Sequence, residues 1–175
     1  RFATAVSKYW ICKRAPQHAL EALECLGGNG YVEESGMPRL LRDSPLNSIW
    51  EGSGNVAALD VLRALAKEPE GLPAFLAEVQ LAAGADARLD AHVGRVGESV
   101  AALAGGGHDP QWDARRVVEG LALALQGSLL VRHAPPAVAD AFCASRLSPG
   151  GHGYVFGDLP AGVDADTVLA RALPD

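Results

Sequence analysis

Apolar residues recur at intervals of three and four positions along most of this chain, and clusters of glycine and proline interrupt the pattern. Such spacing places the apolar side chains on one face of an α-helix, where they can pack against a neighbouring helix. Alanine and leucine dominate the apolar set, while aromatic residues form only 6% of the chain, and this balance favours helices over strands. The sequence therefore predicts an all-α fold built as a helical bundle.

Glycine and proline set the predicted helix boundaries in the first part of the chain. A helix is expected over residues 1–26, and Pro16 either kinks it or begins a second helix, because proline lacks the N–H that a helix interior needs. The run Gly27-Gly28-Asn29-Gly30 ends this helix, since glycine readily takes the left-handed conformation past a C-terminus. Loops are expected on both sides of a short turn over residues 39–43. The next predicted helix covers residues 55–66, with one face formed by Val56, Leu59, Leu62 and Ala66.

The motif Glu68-Pro69-Glu70-Gly71 breaks the pattern and predicts a boundary between two domains, residues 1–68 and residues 69–175. The second domain is expected to be an additional C-terminal helical subdomain. Residues 1–68 contain eight basic and eight acidic side chains, whereas residues 69–175 contain seven and thirteen and carry the whole net charge of −6. An acidic surface repels the phosphates of nucleic acids and anionic lipids, so DNA is a disfavoured partner. The helices expected in this domain cover residues 72–103 with an interruption near Gly84, 110–133, 135–147 and 165–173.

The cysteines indicate the compartment. Cys12, Cys25 and Cys143 are an odd number without CxxC spacing, which is typical of buried thiols in a reducing compartment, and we expect a cytoplasmic protein.

No apolar run approaches the roughly 20 residues of a membrane-spanning helix, and no signal peptide is visible. Five scattered histidines offer no metal-binding spacing. Because the chain opens at Arg1 inside a helical pattern, we expect it to be a piece of a longer protein.

The segment Glu24-Cys25-Leu26-Gly27-Gly28-Asn29-Gly30-Tyr31 is the first of two that stand out for their chemistry. Consecutive glycines let a backbone approach a bulky ligand closely, and exposed amides in such a loop can cradle a phosphate. The same glycines are also explained by a helix C-cap followed by a turn. A helix rather than a strand precedes them, which argues against a dinucleotide-binding phosphate loop.

The segment Asn47-Ser48-Ile49-Trp50-Glu51-Gly52-Ser53-Gly54-Asn55 is the second. Here a carboxylate stands between a bulky apolar pair and a small, flexible run that opens a helix. Apolar neighbours raise a carboxylate's pKa by desolvation, which suits a general base near neutral pH, and the helix N-terminus would bind an anion such as phosphate. The alternative is that Ser53 or Asn55 caps the helix and Glu51 is a solvated loop charge.

Together the two segments resemble the acyl-CoA dehydrogenase family. In that family a helix ends in a Gln-x-x-Gly-Gly-x-Gly-Tyr loop, and an Arg-Asp turn and an aromatic-Glu-Gly-Thr motif follow. This chain has Gly27-Gly28-Asn29-Gly30-Tyr31, then Arg42-Asp43, then Trp50-Glu51-Gly52-Ser53. Pro38-Arg39-Leu40 and the residues around Glu51 look most like the bacterial adaptive-response (alkylation-inducible) branch, which carries an extra helical C-terminal region. The motif match covers about residues 1–66.

The resemblance implies a catalytic base and a set of binding residues. Glu51 would remove the α-proton of an acyl-CoA thioester while hydride leaves the β-carbon for FAD, and its backbone N–H would help to hold the thioester oxygen. Gly52 would border the substrate. The expected flavin contacts are Ser53 and Asn55 at the phosphates and, toward the flavin of a neighbouring subunit, Glu24, Cys25, Leu26, Gly27 and Gly28.

The same resemblance also implies binding partners and further domains. It implies a homo-oligomer, either a dimer or a tetramer built from dimers, with an electron-transferring flavoprotein as the usual electron acceptor. It also implies an N-terminal helical domain and a β-domain outside this chain, so the isolated chain is expected to be inactive. Two residues depart from the family pattern. Glu24 replaces a glutamine and would repel a pyrophosphate, while Ser53 replaces a threonine and keeps the hydroxyl.

Three functions compete on this reading. The first is an FAD-dependent acyl-CoA dehydrogenase, and the second is an adaptive-response flavoprotein that binds and protects DNA with little dehydrogenase turnover. The third is a helical oligomerisation module without chemistry. A further open point is an arginine pair, Arg39 and Arg42, which either binds an anion or pairs with Glu33, Glu34 or Asp43 on the surface.

Overall fold

The structure is a computed structural model that describes residues 1–105, 109–149 and 156–173. Within these residues the secondary structure consists of helices and turns, with no strand. The prediction of an all-α fold is therefore confirmed.

The chain divides into two compact units. The first contains Arg1–Gly71 and Gln111–Glu119, and the second contains Leu72–Pro110 and Gly120–Asp175. The domain boundary between residues 68 and 69 stays a prediction.

The first unit is built around helix α1, which spans Phe2–Cys25 as one continuous helix that includes Pro16. Proline cannot donate to the carbonyl four residues earlier, so the carbonyl of Cys12 loses its helical partner. The hydroxyl of Ser48 donates to that oxygen instead, at 3.2 Å. A side chain from a later turn thus completes the ladder that the proline interrupts.

Two short helices and two 3₁₀ turns follow α1, where the sequence predicts mostly loop. Gly27 has φ +57°, and helix α2 spans Gly28–Tyr31. Helix α3 spans Met37–Asp43, and single 3₁₀ turns occupy Glu33–Ser35 and Ser44–Ser48. The prediction of a helix end at the glycine run is confirmed, but the predicted loops are wrong in detail. Turns of three to five residues are too short to show a helical period in the sequence.

Helix α4 spans Gly54–Lys67 and packs on α1. It buries Ala58, Val61 and Ala64, whereas Val56 is 48% exposed. The face predicted from Val56, Leu59, Leu62 and Ala66 is therefore wrong. The helix is apolar around most of its circumference, and the side with two alanines allows the closer approach of the two helix backbones.

The second unit contains most of helix α5, Gly71–Gln80, all of α6, Ala87–Ala104, and the part of α7, Ala114–His133, that follows Glu119. Gly84 has φ +79° in the turn between α5 and α6, where the sequence predicts an interruption. Helix α8 spans Pro136–Phe142 and continues into a π-helical turn over Cys143–Leu147, and α9 spans Ala165–Ala172. The core of this unit includes the fully buried side chains of Val79, Leu89, Leu121 and Leu147.

The described part of the chain contains no helix that is long and apolar enough to cross a membrane. It also contains no group of three His, Cys, Asp or Glu side chains arranged to hold a metal ion. His108 and His152 lie outside the described residues. Of the cysteines, Cys143 is buried but Cys25 is exposed, so the expectation of buried thiols is wrong for Cys25.

Candidate active site

Glu51 lies in the loop between the 3₁₀ turn Ser44–Ser48 and the start of α4. Its φ is +55°, and among the described residues it is the one non-glycine residue with a positive φ. For a side chain other than glycine this conformation costs about 1–3 kcal/mol, and it persists only where the surroundings impose it. The neighbouring Gly52 has φ +113°, which glycine adopts without that penalty.

Lys8, on helix α1, holds this strained loop by hydrogen bonds to its backbone. Its ammonium donates to the backbone oxygens of Trp50 at 3.0 Å and Glu51 at 3.3 Å. Hydrogen bonds from a charged donor are roughly twice as strong as neutral ones. Lys8 therefore supplies a restraint of the kind that the positive φ of Glu51 requires, and nothing in the sequence pattern pointed to it.

The side chains around the Glu51 carboxylate face outward. Glu51 is exposed, Trp50 is 57% exposed and Ile49 is 64% exposed. The expectation that this apolar pair would desolvate the carboxylate is therefore wrong for this chain by itself, because neither side chain reaches the core of the unit. The carboxylate is open to any surface that covers the loop.

The N-terminus of α4 lacks the side-chain cap that the alternative interpretation of Ser53 and Asn55 assumes. Ser53 is the N-cap residue, but its side chain makes no capping hydrogen bond. The side-chain oxygen of Asn55 accepts a hydrogen bond of 2.6 Å from the Nε of Arg115. The first N–H groups of α4 thus receive no side-chain acceptor, and they lie next to a cation.

The glycine segment has an open part and a packed part. Glu24, Cys25, Leu26, Gly27 and Gly28 are all exposed. A Cβ built at Gly27 or Gly28 would meet no atom within 4 Å. The backbone at these two glycines is therefore accessible to a large flat ligand.

Gly30 belongs to the packed part of the segment. It is buried, and a Cβ placed there would overlap the carbonyl oxygen of Leu23. Its role is structural, since only glycine lets α2 approach the end of α1 so closely.

A small cavity lies between α1 and the Glu51 loop. Its volume is about 10 Å³, room for about one water molecule. The residues that line it include Lys8, Tyr9 and Cys12 on one side and Ser48, Gly52 and Gly54 on the other. A cofactor or a thioester is far larger, so the predicted ligands would lie on the exposed surface of this unit.

The arginine pair is engaged in ion pairs. Arg42 donates to both carboxylate oxygens of Glu33, at 2.8 and 2.9 Å, and this contact holds the pKa of Glu33 below its ordinary value. Arg39 lies 3.6 Å from Asp43. The pairing alternative accounts for both arginines.

Comparison with known proteins identifies relatives of this chain. Residues 1–66 match the family described as acyl-CoA dehydrogenase, C-terminal domain. AidB of Escherichia coli strain K12 is 39% identical over 152 residues, which is 86% of this chain and 27% of AidB. Mitochondrial isovaleryl-CoA dehydrogenase of Arabidopsis thaliana is 46% identical over 56 residues, 32% of this chain and 14% of that protein.

A solved structure extends the likeness to nearly the whole chain. Caenorhabditis elegans ACDH-11, solved in complex with C11-CoA, matches with a TM-score of 0.70 at 28% identity. The match covers 98% of this chain and 32% of ACDH-11. The chain therefore spans about a quarter to a third of the length of AidB and ACDH-11.

Proposed function

Because residues 1–66 of this chain belong to the acyl-CoA dehydrogenase family as its C-terminal domain, we propose that the complete protein is an FAD-dependent oxidoreductase. It removes hydrogen from the α- and β-carbons of an acyl-CoA thioester. Glu51 is the base. The observation that carries the proposal is the strained, anchored and exposed conformation of Glu51, because such strain is concentrated at active sites.

The chain's own residues supply the proton-transfer half of this reaction. The exposed carboxylate of Glu51 takes the α-proton, and the negative charge that develops moves to the thioester oxygen. The backbone N–H of Glu51 donates to that oxygen and lowers the cost of removing the proton. FAD, when bound, would supply the acceptor for the hydride of the β-carbon.

The residues at the start of α4 fit the phosphates of FAD. The uncapped N–H groups of α4 favour an anion, and the hydroxyl of Ser53 makes no capping bond that would compete. Arg115 adds a positive charge beside Asn55. Gly52, with no side chain, leaves space at the edge of the substrate.

The glycine segment fits a flavin carried by a second subunit. Gly27 and Gly28 are open to a flat ring system, and Cys25 and Leu26 flank them on the surface. Glu24 is the exception, because its carboxylate repels a pyrophosphate. We therefore assign it no favourable contact with the phosphates.

The exposed apolar surface of the first unit supports a larger assembly. Its exposed side chains include Leu20, Leu26, Tyr31, Ile49 and Trp50. A surface of this kind is typical of one that other domains or subunits cover. We propose that the rest of the protein and a second copy cover it, that an electron-transferring flavoprotein accepts the electrons, and that the protein is cytoplasmic.

A second candidate function rests on the extent of the match to AidB. The 152 matched residues reach well beyond residue 66, into the region that the family's C-terminal domain does not include. This favours the adaptive-response branch. The second candidate function is therefore a flavoprotein that binds and protects DNA, with little dehydrogenase turnover. The surplus of acidic residues after residue 68 opposes it.

Rapid mixing of the complete, flavin-loaded protein with acyl-CoA tests the proposal. Glu51→Gln keeps the shape and removes the base, so we expect flavin bleaching to slow by at least about 10²–10⁴-fold, with flavin content unchanged. Glu70→Gln, at an exposed position between α4 and α5, is the matched control and should bleach at the parent rate. Bleaching of Glu51→Gln at the parent rate would place the base elsewhere. A parent that bleaches with no acyl-CoA would favour the DNA-binding alternative.

A further inference from the structure

Lys8 donates hydrogen bonds to two consecutive peptide groups beside Glu51. The peptide between Trp50 and Glu51 contains the carbonyl of Trp50 and the N–H of Glu51, and these point in opposite directions because the peptide is planar and trans. Lys8 binds that carbonyl at 3.0 Å and the next carbonyl, that of Glu51, at 3.3 Å. With both oxygens drawn toward Lys8 of α1, the N–H of Glu51 points away from the ammonium.

The backbone of the Glu51 loop needs a restraint to keep one conformation. Glu51 holds a positive φ that an ordinary side chain avoids, and Gly52 beside it has a backbone that turns freely. Such a sequence would exchange between peptide orientations unless a contact held one of them. Lys8 is half-buried on a helix of 24 residues, which gives the contact a rigid base.

We propose that Lys8 is a positioning residue for proton abstraction, which rests on the function proposed above. By holding the carbonyls of Trp50 and Glu51, it keeps the N–H of Glu51 turned toward the thioester oxygen. The ammonium also polarises the peptide of which that N–H is part, which strengthens the N–H as a donor. Lys8 itself touches neither the substrate nor the proton that moves.

The test isolates proton abstraction from hydride transfer. The complete, flavin-loaded protein is incubated in D₂O with a 3-thiaacyl-CoA, in which sulfur replaces the β-carbon so that dehydrogenation is blocked. Exchange of its α-hydrogens is followed by mass spectrometry. In each cycle Glu51 takes an α-proton, the charge rests on the thioester oxygen, and a deuteron returns to carbon. We expect Lys8→Met to slow exchange about 10–100-fold, since loss of a whole oxyanion donor costs about 10²–10³-fold.

Binding of a second ligand distinguishes a positioning role of Lys8 from an effect of the substitution on the shape of the binding site. An S-alkyl-CoA thioether has the same chain without the thioester oxygen, so its affinity does not depend on the N–H of Glu51. We expect Lys8→Met to bind it like the parent while binding the 3-thiaacyl-CoA more weakly. Lys67→Met, in the exposed last turn of α4, is the matched control and should behave like the parent in both measurements.

Each result decides the inference. Parent-like exchange in Lys8→Met, or an equal loss of affinity for both ligands, would overturn it and leave Glu51 as the base. If Lys8→Met fails to retain flavin, the variants Lys8→Arg and Lys8→Gln provide the test. Parent-like exchange in Lys8→Arg together with slower exchange in Lys8→Gln would support the inference. Parent-like exchange in Lys8→Gln would overturn it. Absence of exchange in the parent would overturn the proposed function and the inference together.

Discussion

The hydroxyl of Ser48 donates at 3.2 Å to the carbonyl of Cys12, the oxygen that lacks its helical partner because Pro16 has no N–H. The two residues are 36 positions apart in the sequence. Their contact joins the middle of α1 to the turn that leads into the Glu51 loop. It also explains how α1 can contain a proline and remain one helix.

Ser48→Ala should destabilise the protein because it leaves a partly buried carbonyl without a donor. The cost of such a group is about 1–3 kcal/mol in the free energy of unfolding. Pro16→Ala restores the N–H, so Ser48→Ala should cost much less in that background. A double-mutant cycle from urea unfolding measures the difference. Equal costs in the two backgrounds would show that the loss does not arise from the carbonyl that Pro16 leaves without a helical donor.

Asp86 combines a helix cap with an ion pair at the start of α6. Its side chain accepts from the Arg88 guanidinium at 2.6 Å and from the backbone N–H of Arg88 at 2.8 Å, and these contacts, the guanidinium first, hold the pKa of Asp86 below its ordinary 3.8. A lowered pKa stabilises the fold fully above pH 3.8, and this stabilisation is lost as the pH falls through the folded value. Asp86→Asn keeps a cap but removes the charge.

We therefore expect Asp86→Asn to lower the free energy of unfolding at neutral pH by about 1–2 kcal/mol. The difference from the parent should shrink below the ordinary pKa of the carboxyl. Urea unfolding of both proteins across the acid range measures it. A difference that stays constant with pH would mean that the charge contributes nothing.

The isolated chain should not retain FAD. Only one side of the proposed flavin site lies on this chain, and the affinity of a cofactor depends on several preorganised surfaces acting together. Flavin absorbance of the purified chain after gel filtration provides the measurement. Stoichiometric flavin in the absence of any other chain would show that the surfaces of this chain suffice to bind it.

Residues 69–175 should not bind duplex DNA tightly at physiological salt. Acidic residues outnumber basic ones, and three of the arginines are engaged in ion pairs. Arg88 pairs with Asp86 and Asp140. Arg116 pairs with Asp113, and Arg132 pairs with Glu78. An arginine that is already paired with a carboxylate contributes less to the release of counterions from the phosphates. Fluorescence anisotropy with a labelled duplex tests this at several salt concentrations. A steep loss of binding with added salt would contradict it.

Gly30→Ala should destabilise the first unit, since the new Cβ would overlap the carbonyl oxygen of Leu23. Overpacking of this kind typically costs about 1–3 kcal/mol. Gly28→Ala is the matched control for stability, because a Cβ there meets no atom within 4 Å. Thermal unfolding of both variants measures the difference. Equal unfolding temperatures would show that α2 can shift without penalty.

The sequence predicted the long helices well because their ends carry strong signals. Gly27 ends α1, and Glu68-Pro69-Glu70-Gly71 separates α4 from α5, as expected. The buried face of α4 was not predictable from apolar spacing alone. Several of its faces are apolar, and the close packing of Ala58 and Ala64 decided which one is buried.

The candidate site was predictable only in part. The glycines and the Glu51 motif identify it because they break local helix rules. Lys8 has no such signal, since its contacts are with backbone oxygens 42 and 43 residues away and any side chain at positions 50 and 51 would offer the same oxygens. Contacts to the main chain leave no trace in the residue types of the partner.

The exposure of Trp50 gives this protein an optical reporter. An indole in water emits at longer wavelength than one shielded from water, and Trp50 stands beside the proposed base with 57% of its surface open. Any domain, subunit or ligand that closes over the loop would shift its emission to the blue. A difference spectrum against Trp50→Phe removes the signals of Trp10 and Trp112. Assembly of the site could then be followed in real time, without labels and before any turnover.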